Sequence, residues 1–414
     1  MSHPELGALL EDASGHLSER DFVEQAWETA LARQRRRRRG WSGAASAAGL
    51  VVLAVVAVQV AGGHGAVPMP GPSPTTSPGV GRLADGTAYA QLPLEGKESE
   101  LAYFAAGLPP AIDLDAAPVA LSPRTAVRTP LAAVYLRSAG TTSYQPVLVP
   151  VSGRPVLADR ITLVIPATGD PASVLGPRAI DAHGRFVVFA QPGRVVRLDA
   201  QSGATTSFAV PSNRIREVGW GVDGLIVVRD DGHAWTVDPT ASRPQALLSP
   251  GREVGQFRLS TGPGGLQLAR ADGAGGQTGQ RLPAPVTQIS GATVSTDQRA
   301  ASVAYFDQDL THPVIQRGNG PIYQGLVAVD AGARSARVLL APESPDGLTG
   351  RVSPCCTVLG WADASTVLFT AVGRHGRWVL AWNTATGRVY QAVRLTTRTP
   401  DEPVVPLAVH IGAT

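Results

Sequence analysis

Two stretches of this chain, whose tryptophans lie 141 residues apart, read almost alike. Val218-Gly219-Trp220-Gly221-Val222-Asp223-Gly224 runs into Leu225-Ile226-Val227-Val228, and Leu359-Gly360-Trp361-Ala362-Asp363-Ala364-Ser365 runs into Val367-Leu368-Phe369. A polar turn feeding a short run of β-branched and aromatic residues marks the start of a buried strand. Two further turns do the same. Ile180-Asp181-Ala182-His183-Gly184-Arg185 precedes Phe186 to Phe189, and Val294-Ser295-Thr296-Asp297-Gln298-Arg299 precedes Ser302 to Tyr305. Beyond each strand a second polar turn opens another, as Gln191-Pro192-Gly193 opens Val195 to Asp199 and Asp230-Asp231-Gly232 opens Trp235 to Asp238. The unit is strand, hairpin, strand, hairpin, strand: an antiparallel meander.

The second strands of these units end in Asp199, Asp238, Asp330 and Asn383, at intervals of 39, 92 and 53 residues. The middle interval holds two units, one of them degenerate around Leu266-Gln267-Leu268. A meander repeating about every 40–50 residues predicts propeller blades rather than a sandwich. The fold expected is all-β, a β-propeller of about six or seven blades over residues 129–414, with Trp220 and Trp361 at equivalent places about three units apart. The turns also resemble those of the TolB-like and WD-repeat-like propeller family, whose repeat centres on Ser-Pro-Asp-Gly-Arg before a strand. Ile180 to Arg185 and Ser295 to Arg299 match that turn without its proline. Ser344-Pro345-Asp346-Gly347 keeps the proline but lacks the arginine and the strand. The resemblance covers residues 129–395. It implies a propeller and fixes no chemistry, since the family includes binding modules and periplasmic factors.

Upstream, residues 41–62 carry no charge and centre on Gly49-Leu50-Val51-Val52-Leu53-Ala54-Val55-Val56-Ala57-Val58. Such a segment is about 33 Å long as a helix, enough for a hydrocarbon core of about 30 Å. Six arginines precede it closely (Arg33 and Arg35 to Arg39), whereas Arg82 is the first to follow. Positive residues stay with the cytoplasmic leaflet, so the N-terminus is expected inside and the bulk of the chain outside. A cleaved signal peptide does not fit, because some 40 residues precede the apolar run. Arg38-Arg39-Gly40-Trp41-Ser42 lacks the hydrophobic residues that follow a twin-arginine pair.

Residues 1–40 then form a cytoplasmic tail. Ser18-Glu19-Arg20-Asp21 reads as a capping box, and Phe22, Val23, Ala26, Trp27, Ala30 and Leu31 fall on one helical face. This helix either lies at the membrane or docks a cytosolic partner. Single-pass anti-sigma factors share the topology, but the tail has no cysteine, which excludes their zinc-binding form. Residues 63–82, with Pro68, Pro70, Pro72, Pro74 and Pro78, form an extended linker, and residues 83–128 lead into the repeat.

Charge and motifs narrow the chemistry. The tail balances seven acids with seven arginines, leaving 29 basic and 26 acidic residues for the remainder, no footprint for a nucleic acid. Lys97 is the only lysine, which with the wealth of Ala, Gly and Val reads as high-GC coding. No Gly-x-Ser-x-Gly elbow, zinc-spaced His/Cys set or phosphate loop occurs, so neither metal nor cofactor is expected. Asp230 to Trp235 resembles the sialidase Asp box, itself a structural turn. His183, His233 and His375 sit in Gly-containing turns. Adjacent Cys355 and Cys356, outside the cytoplasm, are either two buried thiols, a vicinal disulfide or a link to another chain. The longest interruption of the repeat, Asp307 to Tyr323, carries Asp307, Asp309, His312, Arg317 and Asn319. It is the candidate surface for an envelope protein or ligand. A non-catalytic binding module is the expectation; a transmembrane sensor and a propeller hydrolase or lyase are its rivals.

Overall fold

The computed structural model describes residues 79–165, 173–230, 233–240, 244–246, 257–270, 280–306, 324–341, 356–373, 376–397 and 407–410, without positions 84, 117, 123, 141, 153, 222, 263, 264 and 297. Four short strands lead in: β1 (Val80–Arg82), β2 (Ala88–Gln91), β3 (Ala111–Asp113) and β4 (Val119–Ala120). Six small meander sheets then follow in chain order, labelled I to VI. Sheet I holds β5 (Leu131–Ser138), β6 (Ser143–Pro150), β7 (Val156–Leu157) and β8 (Leu163–Val164). Sheet II holds β9 (Phe186–Gln191), β10 (Arg194–Asp199) and β11 (Thr205–Ala209). Sheet III holds β12 (Glu217–Trp220), β13 (Ile226–Arg229), β14 (Ala234–Val237) and β15 (Pro244–Ala246). Sheet IV holds β16 (Phe257–Gly262), β17 (Gly265–Arg270) and β18 (Gln280–Leu282). Sheet V holds β19 (Val286–Ser295), β20 (Arg299–Phe306), β21 (Gln324–Asp330) and β22 (Ser335–Ala341). Sheet VI holds β23 (Cys356–Trp361), β24 (Thr366–Gly373), β25 (Gly376–Asn383) and β26 (Val389–Thr396). The last strand, β27 (Leu407–Val409), returns to pair with β5. The degenerate unit read around Leu266 is the middle strand of sheet IV.

Many of these strands are apolar on both faces because their sheets pack against neighbouring sheets. All eight residues of β24 are buried. Leu131 and Leu148 of sheet I share a core with Val187 and Phe189 of sheet II and Val218 and Ile226 of sheet III. Phe257 and Leu266 of sheet IV meet Ala300 and Ala304 of sheet V. Val303 and Leu326 of sheet V meet Phe369 and Leu380 of sheet VI. A fourth core joins Leu368 and Val379 of sheet VI to Tyr135 and Val147 of sheet I. Each fully buried Leu, Val or Phe contributes about 1.5–3 kcal/mol.

One hydrogen-bond plan recurs in the turns. Asp181 Oδ1 accepts the N–H groups of Arg185 and Phe186, at 2.6 and 2.7 Å. Asp223 and Asp363 do the same for Leu225 and Ser365, and Thr296 Oγ1 for Arg299. The Asp-ended strands carry a second set. Asp199, Asp238, Asp330 and Asn383 each accept a backbone N–H two or three residues on, at 2.7–2.9 Å. The two turns of a unit are tied together: Arg185 reaches Asp199 at 2.7 Å, Arg299 reaches Asp330 at 3.2 Å, and Asn383 Nδ2 donates to Ser365 Oγ at 3.1 Å. Gly184 is required where it stands. Its φ is 66°, and a Cβ there would lie 2.9 Å from Pro130 Cβ and 3.0 Å from Leu131 N.

The tryptophans occupy equivalent places. Each ends the first strand of its sheet, buried, and each indole N–H donates at 3.1 Å to a carbonyl of the preceding sheet's segment, Trp220 to Ala179 and Trp361 to Val294. Each acceptor lies two residues before its turn-capping residue, Asp181 or Thr296.

The segment before Thr129 does something the sequence pattern does not announce. β2 pairs parallel to β22, β3 parallel to β26, and β4 parallel to β7, so the segment covers the last-strand edges of sheets V, VI and I in turn. Strands of two to four residues carry no readable alternation. Among the described residues no helix is long and apolar enough to cross a membrane; the expected span 41–62 and the tail helix lie outside them.

Replacing Trp220 or Trp361 by Phe removes one buried hydrogen bond, while Ala179 O keeps the Val188 N–H. Each change is expected to cost about 0.5–1.5 kcal/mol, by similar amounts, and the double variant should be additive within about 0.5 kcal/mol because the sites do not touch. Denaturant unfolding of the purified chain measures all three.

Candidate functional site

The strands on either side of residues 307–323 form a continuous ladder. β20 and β21 pair without interruption from Arg299 opposite Asp330 to Tyr305 opposite Gln324. At the loop end Gln324 is buried and its Nε2 donates to the Tyr305 hydroxyl at 3.4 Å. The expected placement between two strands of one sheet is thus observed. The five candidate residues themselves, Asp307, Asp309, His312, Arg317 and Asn319, lie outside the described residues, as do Cys355 and His375. Cys356 opens β23, buried and disulfide-bonded.

His183 is exposed in its turn. His233 is exposed too, its ring stacked on Trp235 at 5.7 Å and its Nδ1 3.4 Å from Asp230. That carboxylate also accepts the His233 backbone N–H at 2.7 Å, the geometry of a closed structural turn. Among the described residues no group of three or more His, Cys, Asp or Glu converges.

Two polar places, one partly buried and one buried, are not marked by any local sequence pattern. Glu217, at the start of β12, lies 3.4 Å from Arg229 at the end of β13, with Arg178 and Arg258 near enough to act on its charge. Burial pushes the Glu217 carboxyl up, against the pull of Arg229, Arg178 and Arg258. Burial likewise lowers the Arg178 guanidinium, with Glu217 opposing. These residues come from sheets II, III and IV or their leads, so only register and packing unite them. The second place is the seam of sheets VI and I. There the Tyr135 hydroxyl donates to Leu114 O at 3.3 Å, and its pKa is pushed up to about 12, chiefly by burial. Arg377 is buried beside the same cavity, whose volume of about 10 Å³ leaves room for no more than a water.

The turn aspartates are tuned for the ionised form. Burial raises Asp199, but hydrogen bonds from Arg185, Gln201 and Ser202 outweigh it and hold the carboxyl below its ordinary value. Burial raises Asp363 as well, and Ser365 and Thr366 together bring it below. Groups depressed on folding stabilise the fold fully above the unfolded carboxyl value of about 3.9 and lose that contribution as pH falls through the folded value. Thermal stability is therefore expected to fall as the medium is taken below about pH 4. Asp199→Asn should flatten that acid limb and lower stability at neutral pH, which thermal melts of wild type and variant across pH 2–7 will read.

No protein family matches the sequence, and no curated protein does. Similar solved structures include puromycin hydrolase, at 17% identity and a TM-score of 0.30 over 60% of this chain and 40% of that one. A putative TolB from Agrobacterium tumefaciens is 11% identical, with a TM-score of 0.33 over 56% of this chain and 88% of that one. The N-terminal domain of Nup159 is 13% identical, with a TM-score of 0.30 over 77% and 82%. This chain spans two fifths of the puromycin hydrolase chain. At such scores the likenesses assign neither activity nor partner, and the class rests on the strand order: the described residues are all-β, with six consecutive meander sheets whose last strand joins the first sheet.

Proposed function

We propose that the chain is a single-pass membrane-anchored protein. Its residues 129–414 form an extracytoplasmic β-propeller that binds a ligand or an envelope protein, without catalysis of its own. The propeller reading is supported by the succession of sheets, by the core between sheets VI and I, and by β27, which supplies to sheet I the first strand that the meander β5–β7 lacks. Binding is carried by one observation: the longest break in the repeat, 307–323, is displayed by two fully paired strands, β20 and β21. Rigid sheets that present a variable loop are the usual platform for recognition.

Two experiments test this. Protease added to intact spheroplasts should degrade residues 83–414 and spare the tail; protection of the repeat, or a mature chain beginning beyond His64, would overturn the topology. Replacing residues 308–320 by a short Gly-Ser turn should leave the melting temperature nearly unchanged and abolish crosslinking of the partner on whole cells. Undiminished crosslinking by that folded variant removes the loop from the site.

A further inference from the structure

The last-strand edges of the sheets are not treated alike. Lead-in segments occupy those of sheets V, VI and I, so β1, β3 and β4 become the outermost strands there. β1 carries Arg82, β3 carries Asp113, and β4 follows Pro118 directly. Sheet III ends on β15, which begins with Pro244, and sheet IV on β18, which contains Arg281. Charges and prolines on an edge discourage further pairing. β11, the outermost strand of sheet II, has none within Thr205-Thr206-Ser207-Phe208-Ala209 or at its neighbours Ala204 and Val210. Every residue of β11 except Phe208 is exposed.

Its backbone is also aimed outward. Gly193 O accepts from Val210 N–H and Ala204 O accepts from Asp199 N–H, both at 2.9 Å. With the observed register this fixes the alternation. Val195 with Phe208 and Arg197 with Thr206 exchange bonds, while Thr205, Ser207 and Ala209 turn their N–H and C=O groups to the open edge. The strand beside that edge, β10, carries two arginines, Arg194 and Arg197, and ends on one acid, Asp199. Asp199 is engaged by Arg185, whereas Arg197 bonds to the neutral oxygens of Pro239 and Thr206, and Arg194 is exposed.

We propose that β11 is a strand-acceptor edge for an extended, acidic peptide segment of a partner protein, added parallel as the chain itself adds β2, β3 and β4. A second copy of this chain would bring the same positive charge to the edge, which disfavours self-pairing. β11 belongs to sheet II, whereas residues 307–323 join two strands of sheet V, so the two proposals are tested independently.

The test uses the full chain in detergent and a fluorescein-labelled heptapeptide, Glu-Val-Glu-Thr-Glu-Val-Glu. The peptide should bind, slow amide exchange at Thr205, Ser207 and Ala209 at least tenfold, and bind equally to the 308–320 replacement. Binding should drop at least tenfold when alternate peptide amides are N-methylated, when Lys replaces Glu in the peptide, or in Ser207→Pro, since an edge strand tolerates proline but loses the donor. The N-methylated peptide probes the same bonds should Ser207→Pro not fold. No binding at millimolar peptide, unchanged exchange on β11, or equal binding of the N-methylated or Lys peptide would overturn the proposal. So would concentration-dependent protection of β11 in the free chain, which would place a second copy on the edge.

Discussion

β27 contributes three residues to sheet I, Leu407 opposite Tyr135, Ala408 opposite Val134 and Val409 opposite Ala133. A stack of meanders buries each sheet against its neighbours and leaves an apolar face uncovered at either end. Here the two ends cover each other: Leu407 and Val409 join the core that Leu368 and Val379 of sheet VI share with Tyr135 and Val147 of sheet I. The contact links residues some 270 positions apart, so it closes late and at an entropic cost that local hairpins do not bear. Until it forms, sheets I and VI each lack a neighbour.

The lead-in segment reinforces the same place. By running parallel along β22, then β26, then β7, it spans sheets V, VI and I, across the junction where the chain's ends meet. Backbone bonds tie it to the sheets, such as Leu92 N–H to Leu340 O and Leu121 N–H to Leu157 O, both within 2.9 Å. The segment therefore blunts three edges and ties three sheets together. In the proposed topology it lies between the anchor and the repeat, so a load on the anchor would reach the sheets through it.

Within a unit, side chains set the geometry. A carboxylate or hydroxyl that gathers the N–H groups of its own turn fixes where the next strand begins. The Arg–Asp or Asn–Ser tie between the two turns then holds the hairpins at a common spacing. Partly exposed pairs of this kind contribute modestly to stability. Their larger effect is register, because a one-residue slip would turn Val188 or Val303 away from its core.

The turns and strands of the repeat were legible in the sequence. The Asp199, Asp238, Asp330 and Asn383 series, the capped turns at Asp181, Asp223 and Asp363, and the kinship of Trp220 and Trp361 all follow from local patterns, since turn chemistry and alternation act over a few residues. The loop 307–323 could be located between β20 and β21 for the same reason. What no local pattern contained was the partner of each edge. The lead-in strands, too short to show a period, were assigned to three sheets only by packing. Glu217 and Arg178 met because sheets II and III share a core, and β11 stayed open because the lead-in strands pair with β22, β26 and β7 instead. Local patterns specify the strands, their turns and their order; packing sets which edges are filled and which charges are brought together, because those depend on contacts between residues tens to hundreds of positions apart.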